Sequence, residues 1–511
     1  MKDSDALHEL IRSLGKNEKR YFRMYCSGLS GRDSRNYEQL FDAISKQKTF
    51  DAEALKKSLK SNTALVRNLS AEKNHLFNLI LDSQLTYHRG QPLFRIRMLI
   101  SKAQLLFEKG LTKASAKLLL SAKKLAQHYC DKELLLEILT QQMKQIVHFR
   151  EVKKLKELND EKNRIVLGIL NENCYSDLLA RLVEISLDTT YMRDAPQRAK
   201  LDKLMKDELL KEERCAISLQ AKLLFSNIWS FYYYFTKQPA HIGDINRRML
   251  ELFEANPGYT SINLNDYLSA LSNFASDAIS VDNRENALLA IRKLEDFSAA
   301  YHDSLSPVVK ENYTHLYLEV VSKVHAWLSD FEKIIALLPE LQEMVANEKV
   351  LKSHRRQSVA FNAALALFAK KRYKESLRLL QMVEDINEEA QGSYLYFMQA
   401  MFLRFIMHEE LGHYDVLEEQ VSWLQQYLVR YDKLHRAEEA LLGFFSALPE
   451  IASEKERRKH FAATHQQLKE LMNDEFEKPF LRVLIFVPQW IEATVDRSDF
   501  VSVRKRQLLK K

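Results

Sequence analysis

Glycine and proline are scarce in this chain. Its 511 residues include 11 Gly and 9 Pro, about a third of the ~12% share these two residues hold in an average protein. Turn-rich all-β folds use them to reach positive φ and to break ladders, so that class is excluded. Each proline falls at or near the edge of a helical pattern, where its missing N–H is tolerated. The chain reads as all-α. Cysteine is also rare: Cys26, Cys130, Cys174 and Cys215 lie far apart with no CxxC pair, which fits free thiols in a reducing compartment. The opening MKDSDALHEL carries acids where a secretory leader needs an apolar run. The C-terminal apolar run 483–488 falls far short of the ~20 residues that span a bilayer. These absences lead to the expectation of a soluble, cytoplasmic protein with no membrane contact.

Recognisable catalytic machinery is missing too. Gly28 and Gly31 are followed by no GK[ST] and preceded by no strand pattern, so no phosphate loop is expected. There is no GxSxG elbow, and no cysteine has a histidine at a known family spacing. HEELGH at 408–413 invites a zinc reading, but a metalloprotease helix needs histidines four apart. His408 and His413 are five apart, about 140° round a helix, with Gly412 between them. His460 and His465 meet the same objection. Adjacent carboxylates such as Glu388 and Glu389 diverge by about 100° and read as solvated faces. The expectation is no enzyme, no metal and no cofactor.

What is present is helical periodicity. A chain this long exceeds the ~250–300 residues at which single cores stop growing, so it divides into domains or stacks in one dimension. Residues 100–126, 358–383 and 398–428 each read as two amphipathic helices around a tight break. Hinges of this kind fall near Thr112, Val152, Asp194, Ala240, Asn283, Asp330, Arg372 and His413, at intervals of 40 to 47 residues. A recurring interval of this size predicts an α-solenoid of about eight helical hairpins, each burying its faces against its neighbours. The expected organisation is a helical N-terminal domain over 1–90, a solenoid over 91–450, a C-terminal helical cap over 451–500, and a basic, unstructured tail over 501–511.

The hairpins resemble tetratricopeptide repeats, which place small residues where the paired helices cross. Ala103, Ser115 and Ala122 occupy such positions, as do Ala364, Tyr373 and Ser376 in a later pair. The interval is longer than the 34-residue unit, the closing proline is missing, and residues 398–428 put Phe405 and Leu417 at the small positions. The resemblance is to a degenerate, long-helix member of that group, and the whole chain, including SLGKNEKRYFRMY at 13–25, resembles bacterial tetratricopeptide-like proteins. It implies a right-handed superhelix with a peptide-binding groove, and no particular activity.

One stretch tests this reading. SNIWSFYYYFTKQP (226–239) places five aromatics in a row, Phe231 to Phe235. They point all round a helix, which suits a helix covered by its own partner and by both neighbouring pairs. Gln220, Asn227 and Tyr234 form the one polar stripe, at heptad spacing, so Tyr234 is expected in the groove and the other four aromatics in the core. Asn362 and His408, polar positions on the first helices of their hairpins, complete the candidate groove residues.

Charge is concentrated at the ends. Net charge is +7, with +5 in 1–90, +5 in 501–511 and −3 between them. The body therefore lacks the basic stripe of a nucleic-acid groove. Five helices are expected in the N-terminal domain, at 4–14, 17–27, 36–47, 52–60 and 64–87, with Asp51 as an N-cap. The short link after 52–60 allows a helix-turn-helix in which Lys56, Lys57, Lys60 and Arg67 meet phosphates, and Arg504, Lys505 and Arg506 could do the same from the tail. Two readings of function follow: a scaffold that holds a protein or peptide partner in its groove, or a nucleic-acid-binding regulator whose solenoid is the sensor.

Overall fold

The computed structural model describes the chain except residues 1–2, 29–31, 61, 150–151, 187–194, 237, 302–304, 348–352, 389–392, 475 and 510–511. Among the described residues every regular element is helical, with 28 α-helices and a few short 3-10 turns. The chain divides into two compact units, residues 1–169 with 258–262, and residues 170–257 with 263–511.

The first unit begins with α1 (Asp3–Ser13), α2 (Lys16–Ser27), α3 (Arg32–Ser45), α4 (Ala52–Ser58), α5 (Thr63–Arg67) and α6 (Leu69–Tyr87). The five expected helices are thus present, the last divided at Asn68. Asp51 caps α4 by accepting from the N–H groups of Glu53 and Ala54 at 2.9 and 3.0 Å, satisfying donors that a helix start leaves unpaired. Leu7, Ile11, Phe22, Phe41, Leu55, Leu65, Leu76 and Ile80 form one buried cluster. Then follow α7 (Pro92–Glu108), α8 (Thr112–His128), α9 (Lys132–Phe149) and the 35-residue α10 (Val152–Ser186), of which residues 170–186 belong to the second unit.

The second unit continues as α11 (Ala195–Leu204), α12 (Leu219–Phe235), α13 (Pro239–Ala255), α14 (Pro257–Ile262), α15 (Leu264–Ser280), α16 (Arg284–Tyr301) and α17 (Pro307–Leu328); of α14, residues 258–262 belong to the first unit. Next come α18 (Phe331–Ala336), α19 (Leu338–Ala346), α20 (Ser353–Ala369), α21 (Tyr373–Glu388), α22 (Tyr394–Glu410) and α23 (Tyr414–Arg430). The last are α24 (Arg436–Ala447), α25 (Glu454–Leu471), α26 (Lys478–Val483), α27 (Phe486–Val495) and α28 (Phe500–Leu509). Consecutive helices pack as pairs, and α15, α17, α20 and α22 also pack in succession on one another. Helix α20 sits deepest, with every residue from Arg355 to Phe368 buried. The expected hinges at 112, 240, 283, 330, 372 and 413 coincide with helix breaks; the one at 194 lies outside the described residues.

A recurring turn explains how so little glycine suffices. Eight helices end in a residue with positive φ: Gly110 and Gly412, but also Cys130, Asp282, Ser329, Lys371, Asp432 and Arg497. In each, the next residue's N–H donates five residues back, as Leu111 to Leu106 (2.8 Å), Asn283 to Ala278 (2.7 Å), Arg372 to Leu367 (2.9 Å) and Ser498 to Ala493 (2.9 Å). This is the Schellman closure, which satisfies the orphan carbonyls of the last turn. The hydrogen bonds offset the left-handed strain, about 1 kcal/mol for a residue with a Cβ. The small residues expected at helix crossings do that work in two pairs. Ala103, Ser115, Ala122, Ala364 and Ser376 are all fully buried. Ser115 donates to the Ala103 carbonyl at 2.5 Å and Ser376 to the Ala364 carbonyl at 2.7 Å, the same bond twelve residues apart in both pairs.

Candidate functional site

Within the second unit, polar side chains gather on one face shared by α15, α17 and α20, the face along which these helices pack in succession. Asn312 donates to the Asn265 side-chain carbonyl at 2.7 Å and accepts from Arg355 Nη1 at 2.7 Å. Arg355 Nε also faces Glu319 Oε2 at 3.1 Å. Lys323 Nζ lies 3.4 Å from both Glu319 Oε1 and Ser276 Oγ. One helical step further, Asn362 donates to Ser322 Oγ at 3.4 Å. Arg355 and Glu319 are 6% and 5% exposed, so their charges are placed where pairing is required. The heptad step builds this network: Asn312 and Glu319 on α17, and Arg355 and Asn362 on α20, are each seven apart and so share a face.

Two tyrosines from flanking helices join it, Tyr234 of α12 and Tyr396 of α22. Burial, then Tyr396, push the Tyr234 phenol above its ordinary pKa, with Lys323 acting the other way. Burial by itself would lower the Lys323 pKa, but Tyr396, Glu319 and Tyr234 outweigh it and the ammonium is held above its usual value. Tyr234 nevertheless keeps 47% of its surface and the Lys323 side chain 26%. Both side chains thus pack partly against protein while part of each stays open to solvent. His315, on the same helix, is held below its ordinary pKa by burial; Glu311 opposes the shift and Arg355 adds to it.

The expected groove residues therefore divide. Tyr234 is half-exposed, Asn227 is half-buried and Gln220 is exposed on the same stripe. Asn362 is 7% exposed and bonded within the network. His408 is 8% exposed, and burial, then Arg404 and His413, press its pKa down to about 4. Its ring lies 5.7 Å from that of His413, because the chain reverses at Gly412; among the described residues no three His, Cys, Asp or Glu side chains converge as a metal site would need. Of the aromatic run, Phe235 is buried, Tyr232 and Tyr233 are half-buried and Phe231 is 38% exposed. Phe231 thus departs from the expected core position, stacking on Phe235 at 6.1 Å instead. Residues Asn265, Ser276, Asn312, Glu319, Lys323 and Arg355 are not among the sequence candidates, although the heptad spacing of Asn312 with Glu319 and of Arg355 with Asn362 is the same signal as on α12.

The C-terminal segment behaves differently from expectation. Instead of trailing off as an unstructured basic tail, residues 500–509 form α28, because the segment has a docking surface to bury against. Phe486 packs on Phe361 (5.6 Å) and Phe500 on Phe368 (5.3 Å), both from α20. Gln399 of α22 donates to the Val483 carbonyl at 2.9 Å, and Trp490 to Glu410 at 2.7 Å. Arg504, expected to face phosphates, is 5% exposed. It donates to the Ala326 carbonyl (2.9 Å), Ser329 Oγ (3.2 Å) and Gln489 Oε1 (2.8 Å), a cation at the C-terminal end of α17 where the helix dipole favours one. Arg506 pairs with Glu492 at 2.6 Å and Asp496 at 2.7 Å. Lys505 is exposed.

In the first unit Lys56, Lys57, Lys60 and Arg67 are exposed, and Lys56 pairs with Glu53 at 2.8 Å. The two helices expected to form the helix-turn-helix, 52–60 and 64–87, are observed as α4 of seven residues and as α5 of five residues followed, after Asn68, by the 19-residue α6. The four cysteines are free, and among the described residues no helix is long and apolar enough to cross a membrane. Compared with protein-family models, curated proteins and solved structures, the chain matches none.

Proposed function

We propose that this protein is an interaction scaffold of the tetratricopeptide-like kind, without catalytic activity of its own, and that its second unit holds an extended peptide or a partner's helix on the face of α12, α15, α17 and α22. The observation that carries the reading is the buried polar network with Tyr234 half-exposed beside it. Ordinary surface polar groups need no such bonding, while a solvent-open phenol beside a bonded polar array supplies an aromatic anchor and fixed register. The chain's own C-terminal helices support it, since they dock on α20 and α22 through aromatic anchors in the manner of helix-in-groove recognition. The Ser115–Ala103 and Ser376–Ala364 crossings support the tetratricopeptide-like description.

Affinity capture of the tagged full-length chain from its own cells, with and without nuclease, tests this. A stoichiometric protein partner that survives nuclease and is lost with Tyr234→Ala is the expected result. Partners that vanish with nuclease would instead favour the basic residues Lys57, Lys60, Arg67 and Lys505, and full-chain binding to nucleic acid would then fall steeply with salt.

A further inference from the structure

A cleft of about 480 Å³ lies between α16, α17 and α19 of the second unit, lined by Tyr313, Tyr317, Glu295 and Glu340 among others. The helix that would close it is broken at Leu337 into α18 and α19. The two phenol rings stack at 5.9 Å, and their hydroxyls are committed to the protein. Tyr313 donates to the Leu294 carbonyl at 3.1 Å and Tyr317 to Glu295 Oε1 at 3.3 Å. No Lys, Arg or His among the described residues lines the cleft. Neither Glu295 nor Glu340 has an ion-pair partner among them.

The preceding step of the same stack contains this arrangement in filled form. There Glu254 of α13 accepts from Tyr267 of α15, also at 3.3 Å, and Lys293 of α16 closes onto Glu254 Oε1. Glu295 follows Glu254 by 41 residues, one hinge interval, and the tyrosine–glutamate bond recurs. The cation does not. At 47 residues after Lys293, α19 presents Glu340 to the cleft instead.

We propose that this cleft receives a lysine or arginine side chain from a basic peptide segment of a partner, in the role that Lys293 plays one step earlier. Charge complementarity sets the class. Two carboxylates accept hydrogen bonds and offer no donor, so an anion finds repulsion there and a cation finds two acceptors. The tyrosines add to this, because an electron-rich ring attracts a cation within about 6 Å of its centroid. The site is separate from the face bearing Tyr234. At 100° per residue, Tyr313 and Tyr317 lie on the opposite side of α17 from Asn312, Glu319 and Lys323.

The test is fluorescence anisotropy on the full chain with two labelled peptides, acetylated and amidated, one alternating Lys and Ala and the other alternating Gln and Ala. The net charge of +7 opposes general attraction of the Lys peptide. That peptide should nevertheless bind about ten-fold tighter, the combined worth of an exposed ion pair and a cation–π contact. Glu295→Gln and Glu340→Gln should each reduce the preference and together abolish it. Glu340→Lys supplies the missing cation from the chain itself and should abolish it alone, with circular dichroism unchanged. Glu418→Gln, the loss of an exposed charge on α23, should leave it intact. Butylamine, a free cation, should compete only weakly. Equal binding of the two peptides overturns the proposal. So does a preference that survives the double variant or Glu340→Lys, or one lost equally with Glu418→Gln. Butylamine binding as tightly as the Lys peptide overturns the assignment to a peptide. None of these outcomes bears on the Tyr234 face, whose failure shows separately as the loss of nuclease-resistant partners in the capture experiment.

Discussion

Asp277 is the group whose replacement gives the clearest quantitative check on the packing of the second unit. It lies on α15, 8% exposed, with the Asn246 side-chain amide donating to its Oδ2. Burial raises its pKa from 3.8 to about 7, against the lowering effect of that one amide. The sign follows from proton binding. Between pH 3.8 and 7 the unfolded chain has released this proton while the native state still holds it, so stability from this group falls as pH rises through that window and is flat above it. At 1.36 kcal/mol per pH unit the full penalty is about 4 kcal/mol, taken as an upper bound. Asp277→Asn removes the charge at nearly constant shape, and its amide can donate to Asn246 Oδ1, which is buried with no hydrogen-bond partner among the described residues. Near pH 4 the two proteins should melt together. Near pH 8 the variant should melt higher, by about 6 °C for a unit of some 340 residues. Calorimetry of both proteins across the pH range reads this difference directly, because the other titrating groups cancel. A variant that is equally destabilised at every pH would refute the argument, since it would mean that the carboxylate itself is needed.

Substitutions at Arg504, Lys371 and His408 probe other parts of the molecule. Arg504→Ala should cost about 3 kcal/mol, having left the Ala326 carbonyl and Gln489 without their donor. Arg504→Lys should recover little of it because the fork is lost; urea unfolding and protease sensitivity near the C-terminus report both. Lys371→Gly relieves a residue held at φ 57° and should stabilise by about 0.5–1 kcal/mol, whereas the same change one residue earlier, inside the helical turn, should destabilise. His408, with its pKa pressed to about 4, stays neutral in the native state while the unfolded chain takes a proton below 6.5. Its contribution is therefore present above pH 6.5 and lost as pH falls toward 4; its ring proton signals should not titrate above pH 5, and His408→Gln should flatten the acid limb of stability.

The helices, most hinges and the small crossing residues were legible because each is a local signal. Hydrophobic period marks the helix, and Ala364 and Ser376 sit where two helices of one pair must touch. The turns were legible in position but not in chemistry, since Lys371 or Arg497 in a left-handed cap carries no sequence mark comparable to Gly110. The C-terminal segment was misread for a different reason. Its partners lie far away in sequence, Arg504 bonding to Ala326 and Ser329 and Trp490 to Glu410, and a run of basic residues gives no hint that one of them will cap a distant helix. Of the candidate site, the stripe ending at Tyr234 came from heptad spacing on an apolar helix. The identical spacing of Asn312 and Glu319 passed unnoticed because α17 is less uniformly apolar. That Lys323 shares a carboxylate with Arg355 depends on the packing of α17 against α20, and no single-helix pattern contains it.

The central claim is that partners meet the face bearing Tyr234. A photo-crosslinking amino acid installed at position 234, and separately at the exposed Trp423 on α23, tests it in the protein's own cells. A discrete, nuclease-resistant protein adduct should form from position 234 and none from position 423. An adduct from 423 alone, or equal adducts from both, would contradict it.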